Sequence, residues 1–165
     1  MANKDNISGL LPDNCLNIIK NHTTIEYNDF STVLGSKLLS MDTLDHIEGI
    51  NQDLSNRIAN NKYNFTDIET FIPMLQSKNY TYSAISRALL HIILDIKTDD
   101  IKEFVNNNYA MILGFTKKSG VLSEISKSTK IPLVSKFATF YKEADSNQRK
   151  MLDINLKADN LYRMI

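Results

Sequence analysis

Tryptophan is absent from this sequence, and cysteine, proline and glycine are scarce, at one, three and five residues. The single cysteine, Cys15, cannot form an intramolecular disulfide, which is typical of a protein from a reducing compartment. So few turn-forming residues argue against a β sandwich, which needs many tight turns. We therefore expect a mostly α-helical, compact domain in the cytoplasm.

Long apolar runs are also missing. The longest, residues 88–94, is interrupted by His91 and is far too short to cross a bilayer. Residues 1–9 are polar and do not resemble a secretory leader. The chain is accordingly expected to have no membrane partner.

Recognisable catalytic motifs are lacking as well. The sequence contains no Gly-rich phosphate loop, HExxH, CxxC or GxSxG pattern. His22, His46 and His91 lie far apart, and none has another histidine or a cysteine at the spacing of metal ligands. We assign no catalytic residue and no metal to this chain.

Helical periodicity is clearest in "SKNYTYSAISRALLHIIL", residues 77–94. Ile85, Ala88, Leu89 and Ile92 recur at helical spacing, which predicts a helix with one buried face. A second helix start is predicted by Thr66 and Glu69, which match the capping-box pattern at the beginning of an apolar stripe.

The second half of the chain allows a small β–α–β element near 109–135. "YAMILGF" and "IPLVS" are short apolar segments on either side of a predicted helix. We treat 1–165 as a single helical module, with 1–107 and 108–165 as alternative sub-lobes.

Charge is divided unevenly although its sum is zero. Residues 1–77 hold 5 Lys and Arg against 10 Asp and Glu, whereas residues 78–165 hold 14 against 9. An anionic partner would therefore meet the second half first. Chance and solvated helix faces remain an alternative explanation.

Polar residues next to the buried stripe of 77–94 could contact RNA. Lys78 and Arg87 could bind phosphates, and Tyr80 could stack on unpaired bases. His91, one turn after Arg87, could line a polar groove, and Thr81 is expected to cap the helix. The alternative is that the tyrosine packs, the cations are solvated and His91 is satisfied at the edge of the core.

Three segments carry a resemblance to a known family: "GINQDLSNRI", "SKNYTYSAISRALLHIIL" and "YAMILGFTKKSGVLSEISKSTKIPLVSK". Their order and spacing resemble the C-terminal region of the bacterial tRNA(Met) cytidine acetate ligases, a HIGH-motif nucleotidyltransferase-like family. The resemblance covers nearly the whole chain. It implies that ATP and acetate form an acetyl-adenylate, which then acetylates N4 of the wobble cytidine of elongator tRNA(Met).

The same resemblance implies that ATP is held by an N-terminal domain with a HIGH-type motif, and no such motif occurs in this sequence. We therefore expect a piece of a longer enzyme that lacks the catalytic domain and is inactive alone. On this hypothesis the chain holds no cofactor, and ATP and acetate belong to the missing domain.

The resemblance thus predicts an accessory tRNA-binding module, and the alternative is a structural or dimerisation domain without RNA contact. Asn79, Ala84 and Met111 stand where the family usually has basic residues, which reduces the expected number of phosphate contacts. The expected partners are tRNA, the N-terminal catalytic domain of the same protein and, as an open alternative, a second copy of the chain. The predicted RNA-binding residues are Arg57, Lys78, Tyr80, Thr81, Arg87, His91, Lys117 and Lys118.

Overall fold

The computed structural model describes residues 12–21, 25–104, 109–114 and 120–165. These residues are mostly helical. The helices are α1 (Asp13–Asn21), α2 (Ser31–Ser40), α3 (Gln52–Asn61), α4 (Ile68–Leu75), α5 (Tyr82–Leu94), α6 (Thr98–Phe104), α7 (Val121–Ser128), α8 (Phe137–Glu143) and α9 (Ser146–Met164). The strands are β1 (Ala110–Met111) and β2 (Leu133–Val134), and short 3₁₀ helices cover Tyr27–Phe30 and Lys62–Asn64. Within the described ranges, no helix combines the length and apolarity needed to cross a bilayer.

The main hydrophobic core lies between α2, α3, α4 and α5. The predicted stripe of α5 is confirmed, since Ile85, Ala88, Leu89 and Ile92 are all buried. Removing such side chains from water supplies most of the stabilisation of a helical domain. The other buried members of this core are Leu34, Leu38, Leu44, Ile47, Ile50, Leu54, Ile58, Ile68, Phe71, Ile72, Leu75 and Ile93.

Helix α4 begins one residue later than the predicted capping box. Asp67, and not Thr66, is the N-cap, and its Oδ1 accepts a hydrogen bond from the Thr70 N–H at 2.9 Å. That hydrogen bond holds the pKa of the Asp67 carboxyl below its ordinary value. The Thr66 hydroxyl instead shares a 2.8 Å hydrogen bond with that of Thr70. The capping-box prediction is wrong because a carboxylate competes better than a hydroxyl for first-turn N–H groups.

The remaining N–H groups at the start of α4 are satisfied by a distant residue. Asn28, in the first 3₁₀ helix, accepts hydrogen bonds at its Oδ1 from the N–H groups of Ile68 at 3.1 Å and Glu69 at 3.2 Å. The Ser31 hydroxyl accepts a second hydrogen bond from Ile68 at 3.0 Å. These bonds tie α4 to the chain about 40 residues earlier.

The predicted β–α–β element near 109–135 is present. β1 and β2 pair in parallel, with Ala110 opposite Leu133, and α7 connects them. Tyr109 ties this unit to the last two helices. Its ring lies 5.4 Å from that of Phe140 in α8, and its hydroxyl accepts a hydrogen bond from Asn155 of α9 at 2.5 Å.

Helix α9 also reaches back to the end of α5. The Lys157 amino group donates a 2.6 Å hydrogen bond to the main-chain oxygen of Leu94. The next residue, Asp95, ends α5 in the left-handed conformation, with φ at +58°. A cation at a helix C-terminus meets the negative end of the helix dipole. Burial, and then the positive charge of Lys37, lower the pKa of Lys157.

Candidate functional site

The start of α3 and the turn before α5 meet at Asn51. Its side chain is the N-cap of α3 and accepts a hydrogen bond from the Leu54 N–H at 3.0 Å. The Tyr80 hydroxyl donates to the same Oδ1 atom at 2.7 Å. One amide oxygen therefore joins two segments 29 residues apart.

Residues 77–80 form the tight turn that precedes α5. The N–H of Tyr80 donates to the oxygen of Ser77 at 3.1 Å, and the N–H of Ser77 donates back to the oxygen of Tyr80 at 3.3 Å. The hydroxyl of Ser77 also accepts a hydrogen bond from the N–H of Asn79 at 3.3 Å. Lys78 is exposed in this turn, whereas the half-buried Tyr80 ring packs against the main core. The turn thus presents a lysine above an anchored tyrosine.

Arg57 brings a second cation to the same place. Its guanidinium carbon lies 5.8 Å from the centroid of the Tyr80 ring, within cation–π range. Its Nε also donates to Asp53, one helical turn earlier, at 3.2 Å. We call Asn51, Asp53, Arg57 and Tyr80 the Tyr80 cluster.

Helix α5 carries the remaining described candidates. Thr81 is its N-cap and accepts a hydrogen bond from the Ala84 N–H at 3.3 Å, so the predicted cap is confirmed. Arg87 is exposed. His91, one turn later, is half-buried, and its Nδ1 lies 2.7 Å from the main-chain oxygen of Glu48. Because a carbonyl oxygen only accepts, that nitrogen carries the hydrogen and the Nε2 atom is the one without it in the neutral ring.

The structure therefore brings Arg57, Lys78 and Tyr80 together and places Arg87 and His91 farther along the same helix. Lys117 and Lys118 lie outside the described residues. Sequence reasoning missed Asn51. An asparagine just before an apolar-periodic segment is a helix-start signal, but its second bond, to Tyr80, has no local signature.

Cavities and charged clusters elsewhere offer no better site. A cavity of about 320 Å³ lies between the end of α5, the start of α6 and α9, and one of about 160 Å³ lies after β2. None of the predicted residues lines either cavity. Among the described residues, no group of three or more His, Cys, Asp and Glu side chains could hold a metal ion.

Two curated relatives show what this chain is similar to. A Thermoanaerobacter protein named tRNA(Met) cytidine acetate ligase is 33% identical over 146 residues, which are 88% of this chain and 36% of that protein. A Bacillus subtilis protein of the same name is 30% identical over 125 residues, or 73% of this chain and 28% of the relative. The chain thus spans only 28% to 36% of the length of these curated relatives.

A solved structure shares the fold. Thermotoga maritima TmcAL, crystallised with alpha-thio ATP, superposes with a TM-score of 0.81 at 21% sequence identity. The match covers 98% of this chain and 45% of that protein. At this identity the likeness establishes the fold alone.

A family model corrects the expectations about what this chain is. The model described as HIGH Nucleotidyl Transferase matches residues 1–165. The prediction of a C-terminal region that lacks the HIGH-type domain is therefore wrong, and so are both functions built on it, the accessory tRNA-binding module and the structural alternative.

Three further expectations, on the cofactor and on two partners, depended on the missing catalytic domain or are unsupported. The absence of a cofactor site was inferred from the missing domain, and the match removes that ground. A separate N-terminal catalytic domain and a homodimer as partners are likewise unsupported. The sequence has no HIGH-type motif, yet the family match extends over the whole chain.

The match covers the entire chain and agrees with the name shared by its relatives. This protein belongs to the HIGH nucleotidyl transferase family.

Proposed function

We propose that the protein acts as a ligase that joins acetate to a cytidine of tRNA(Met) with ATP as the second substrate. The observation that carries this proposal is the family match over residues 1–165. The name of the relatives indicates acetate and tRNA(Met) as substrates. The T. maritima structure with an ATP analogue supports ATP as the nucleotide substrate. A tRNA substrate also supports a cytoplasmic location.

The family's chemistry accounts for the use of ATP. Free acetate is a poor acyl donor because its leaving group would be an oxide. Attack of an acetate oxygen on the α-phosphate of ATP releases pyrophosphate and gives acetyl-adenylate. The exocyclic amine of cytidine then attacks the acyl carbon, forms the amide and expels AMP, while its proton passes to solvent or a base. Two feasible steps replace one difficult step, as in other activated-intermediate mechanisms.

The surface around the Tyr80 cluster is the proposed contact for tRNA. Lys78 and Arg87 are exposed and make no hydrogen bond or ion pair within the described part of the chain, so both can approach phosphates. Arg57 is half-exposed next to the Tyr80 ring and shares its charge with Asp53. Phosphate contacts of this kind supply much of the affinity for nucleic acid and position the protein on it.

Tyr80 and His91 have a different part in this proposal from the one first expected. The Tyr80 hydroxyl is bound to Asn51 and its ring packs on the core, so the tyrosine anchors the turn that carries Lys78. His91 uses Nδ1 internally, which leaves Nε2 for RNA. Thr81 fixes the start of α5. Lys117 and Lys118 stay in the proposal on sequence grounds alone.

Transfer of labelled acetate tests the proposal. The protein as the cell produces it is incubated with radiolabelled acetate, ATP and an unmodified tRNA(Met) transcript. We expect ATP-dependent label in the tRNA and release of pyrophosphate. A transcript whose anticodon cytidine is replaced by uridine is the matched control and should remain unlabelled. Absence of ATP-dependent label from the cytidine transcript would refute the proposed activity.

A further inference from the structure

Oδ1 of Asn51 accepts hydrogen bonds from both the Leu54 N–H and the Tyr80 hydroxyl. The family resemblance does not single out Asn51. We propose that Asn51 is a positioning residue that fixes the 77–80 turn, and with it Lys78, against α3 for contact with tRNA phosphates. This inference rests on the proposed function and adds to it the residue that sets the geometry of the contact.

The local geometry leaves Asn51 little freedom. Its main-chain oxygen accepts the Ser55 N–H at 2.9 Å, so its backbone is the start of α3. Its Oδ1 accepts the Leu54 N–H at 3.0 Å and the Tyr80 O–H at 2.7 Å. A carbonyl-type oxygen offers two lone pairs, and both are used here. The Tyr80 hydroxyl must therefore lie next to Oδ1 of Asn51, whose position the start of α3 fixes.

The segment before Asn51 is anchored from the opposite side. The main-chain oxygen of Glu48 lies 2.7 Å from Nδ1 of His91. The N–H of Glu48 donates a hydrogen bond to the main-chain oxygen of Ile96 at 2.9 Å. Gly49 follows with φ at +78°, a left-handed conformation that glycine adopts without strain. Asn51 is thus held between the two ends of α5, with His91 on one side and Tyr80 on the other.

The charged groups depend on this arrangement. Tyr80 closes the turn that carries Lys78, and its ring lies under the Arg57 guanidinium. Loss of the bond to Asn51 frees the phenol end of the ring, so the turn that carries Lys78 is no longer fixed against the start of α3. A cation that is already held in place loses less conformational freedom when it binds a phosphate, so we expect weaker tRNA binding without this bond and no effect on ATP.

Three substitutions separate this role from helix capping. Asn51→Ser keeps a good N-cap oxygen on a shorter side chain that does not extend to the Tyr80 hydroxyl. Tyr80→Phe removes only the hydroxyl and keeps the ring. Asn51→Asp keeps both acceptor positions and is the conservative rescue, measured in 0.2 M salt to screen its added charge. Melting curves of each variant check that the fold is retained.

The readout is steady-state kinetics of acetate transfer to an unmodified tRNA(Met) transcript. Loss of one hydrogen bond predicts a KM for tRNA about three- to tenfold higher in Asn51→Ser and Tyr80→Phe, with kcat and the KM for ATP unchanged. The double variant should be no worse than either single variant, because both remove the same bond. Asn51→Asp should lie close to the wild type.

The outcomes distinguish the two levels of the proposal. An unchanged KM for tRNA in Asn51→Ser, or effects of the two single changes that multiply in the double variant, would overturn the role of Asn51 while leaving the ligase activity intact. If the wild-type protein transfers no acetate to tRNA, the proposed function fails, and the inference fails with it.

Discussion

At the scale of single residues, Tyr27 links the first 3₁₀ helix to α5. Its hydroxyl donates a 2.7 Å hydrogen bond to the main-chain oxygen of Ser86. Burial, with a smaller contribution from nearby Tyr82, raises the pKa of Tyr27 well above its ordinary value. The folded protein therefore keeps this hydroxyl protonated at a pH where the unfolded chain would lose the proton.

The free energy of unfolding is expected to decrease at high pH because of Tyr27. The raised pKa contributes stability that is fully present below about pH 10, the ordinary tyrosine value. That contribution is lost as the pH rises from there toward the folded pKa, because only the unfolded chain ionises. We expect Tyr27→Phe to flatten the decline of unfolding free energy above pH 10, measured by urea titration at several pH values. Tyr162→Phe, which removes an exposed hydroxyl, is the control, and an equal flattening in both variants would contradict the assignment.

Residue types along 77–94 predicted much of this region. The N-cap at Thr81 and the buried positions of α5 follow from local pattern, and both are present. The partners of Tyr80 and His91 could not be predicted in this way. Asn51 and Glu48 lie 29 and 43 residues away in the chain and meet them only after folding.

At the scale of elements, α4 shows how a short helix depends on a neighbour. It has eight residues and contains Pro73, so its intrinsic stability is low. Asn28 compensates by accepting the Ile68 and Glu69 N–H groups. Burial of Phe71 and Ile72 then attaches the helix to the core.

Asn28→Ala removes the acceptor for both N–H groups. We expect a loss of about 1 kcal/mol in unfolding free energy, because the Glu69 N–H loses its partner whereas the Ile68 N–H keeps the Ser31 hydroxyl. Chemical denaturation measures the change. Asn60→Ala is the control, since Asn60 is exposed on α3 and makes no side-chain hydrogen bond within the described residues. A loss below the error of the control would show that water replaces Asn28 at no cost.

The burial of residues in α9 was only partly predictable from the sequence. The sequence of this helix predicts an inward face of Met151, Ile154, Ala158, Leu161 and Tyr162. The first four are half-buried, but Tyr162 is 54% exposed, and the fully buried Leu152 was not predicted. The reason is that α9 packs against α8 on one side and against α5 and α6 on another. A helix with two packing partners does not show one clean stripe.

At the scale of the whole molecule, the uneven distribution of charge along the sequence can be compared with the positions of the helices. The main core is built from α2 to α5, whereas α9 joins it through Lys157 and the end of α5. Lys78 and Arg87 lie at the point in the chain where the net charge turns positive. The division into sub-lobes near residue 107 stays a prediction.

The resemblance to the ligases named the right family, but the region of the protein was assigned wrongly. The quoted segments resembled the ligases, but the missing short motif led to the assignment of an incomplete accessory piece. The family model, which matches all 165 residues, overturned it.

The dependence of tRNA affinity on salt tests the central claim most directly, namely that the surface around the Tyr80 cluster contacts tRNA. Binding of an unmodified tRNA(Met) transcript is measured from 50 to 300 mM salt for the wild type, for Lys78→Ala with Arg87→Ala, and for Lys127→Ala with Lys142→Ala. The third protein loses the same charge from α7 and α8. Two lost phosphate contacts predict weaker binding and a log–log slope shallower by about 1.5 for the first double variant alone. Unchanged affinity and slope, or an equal change in the control, would contradict the claim.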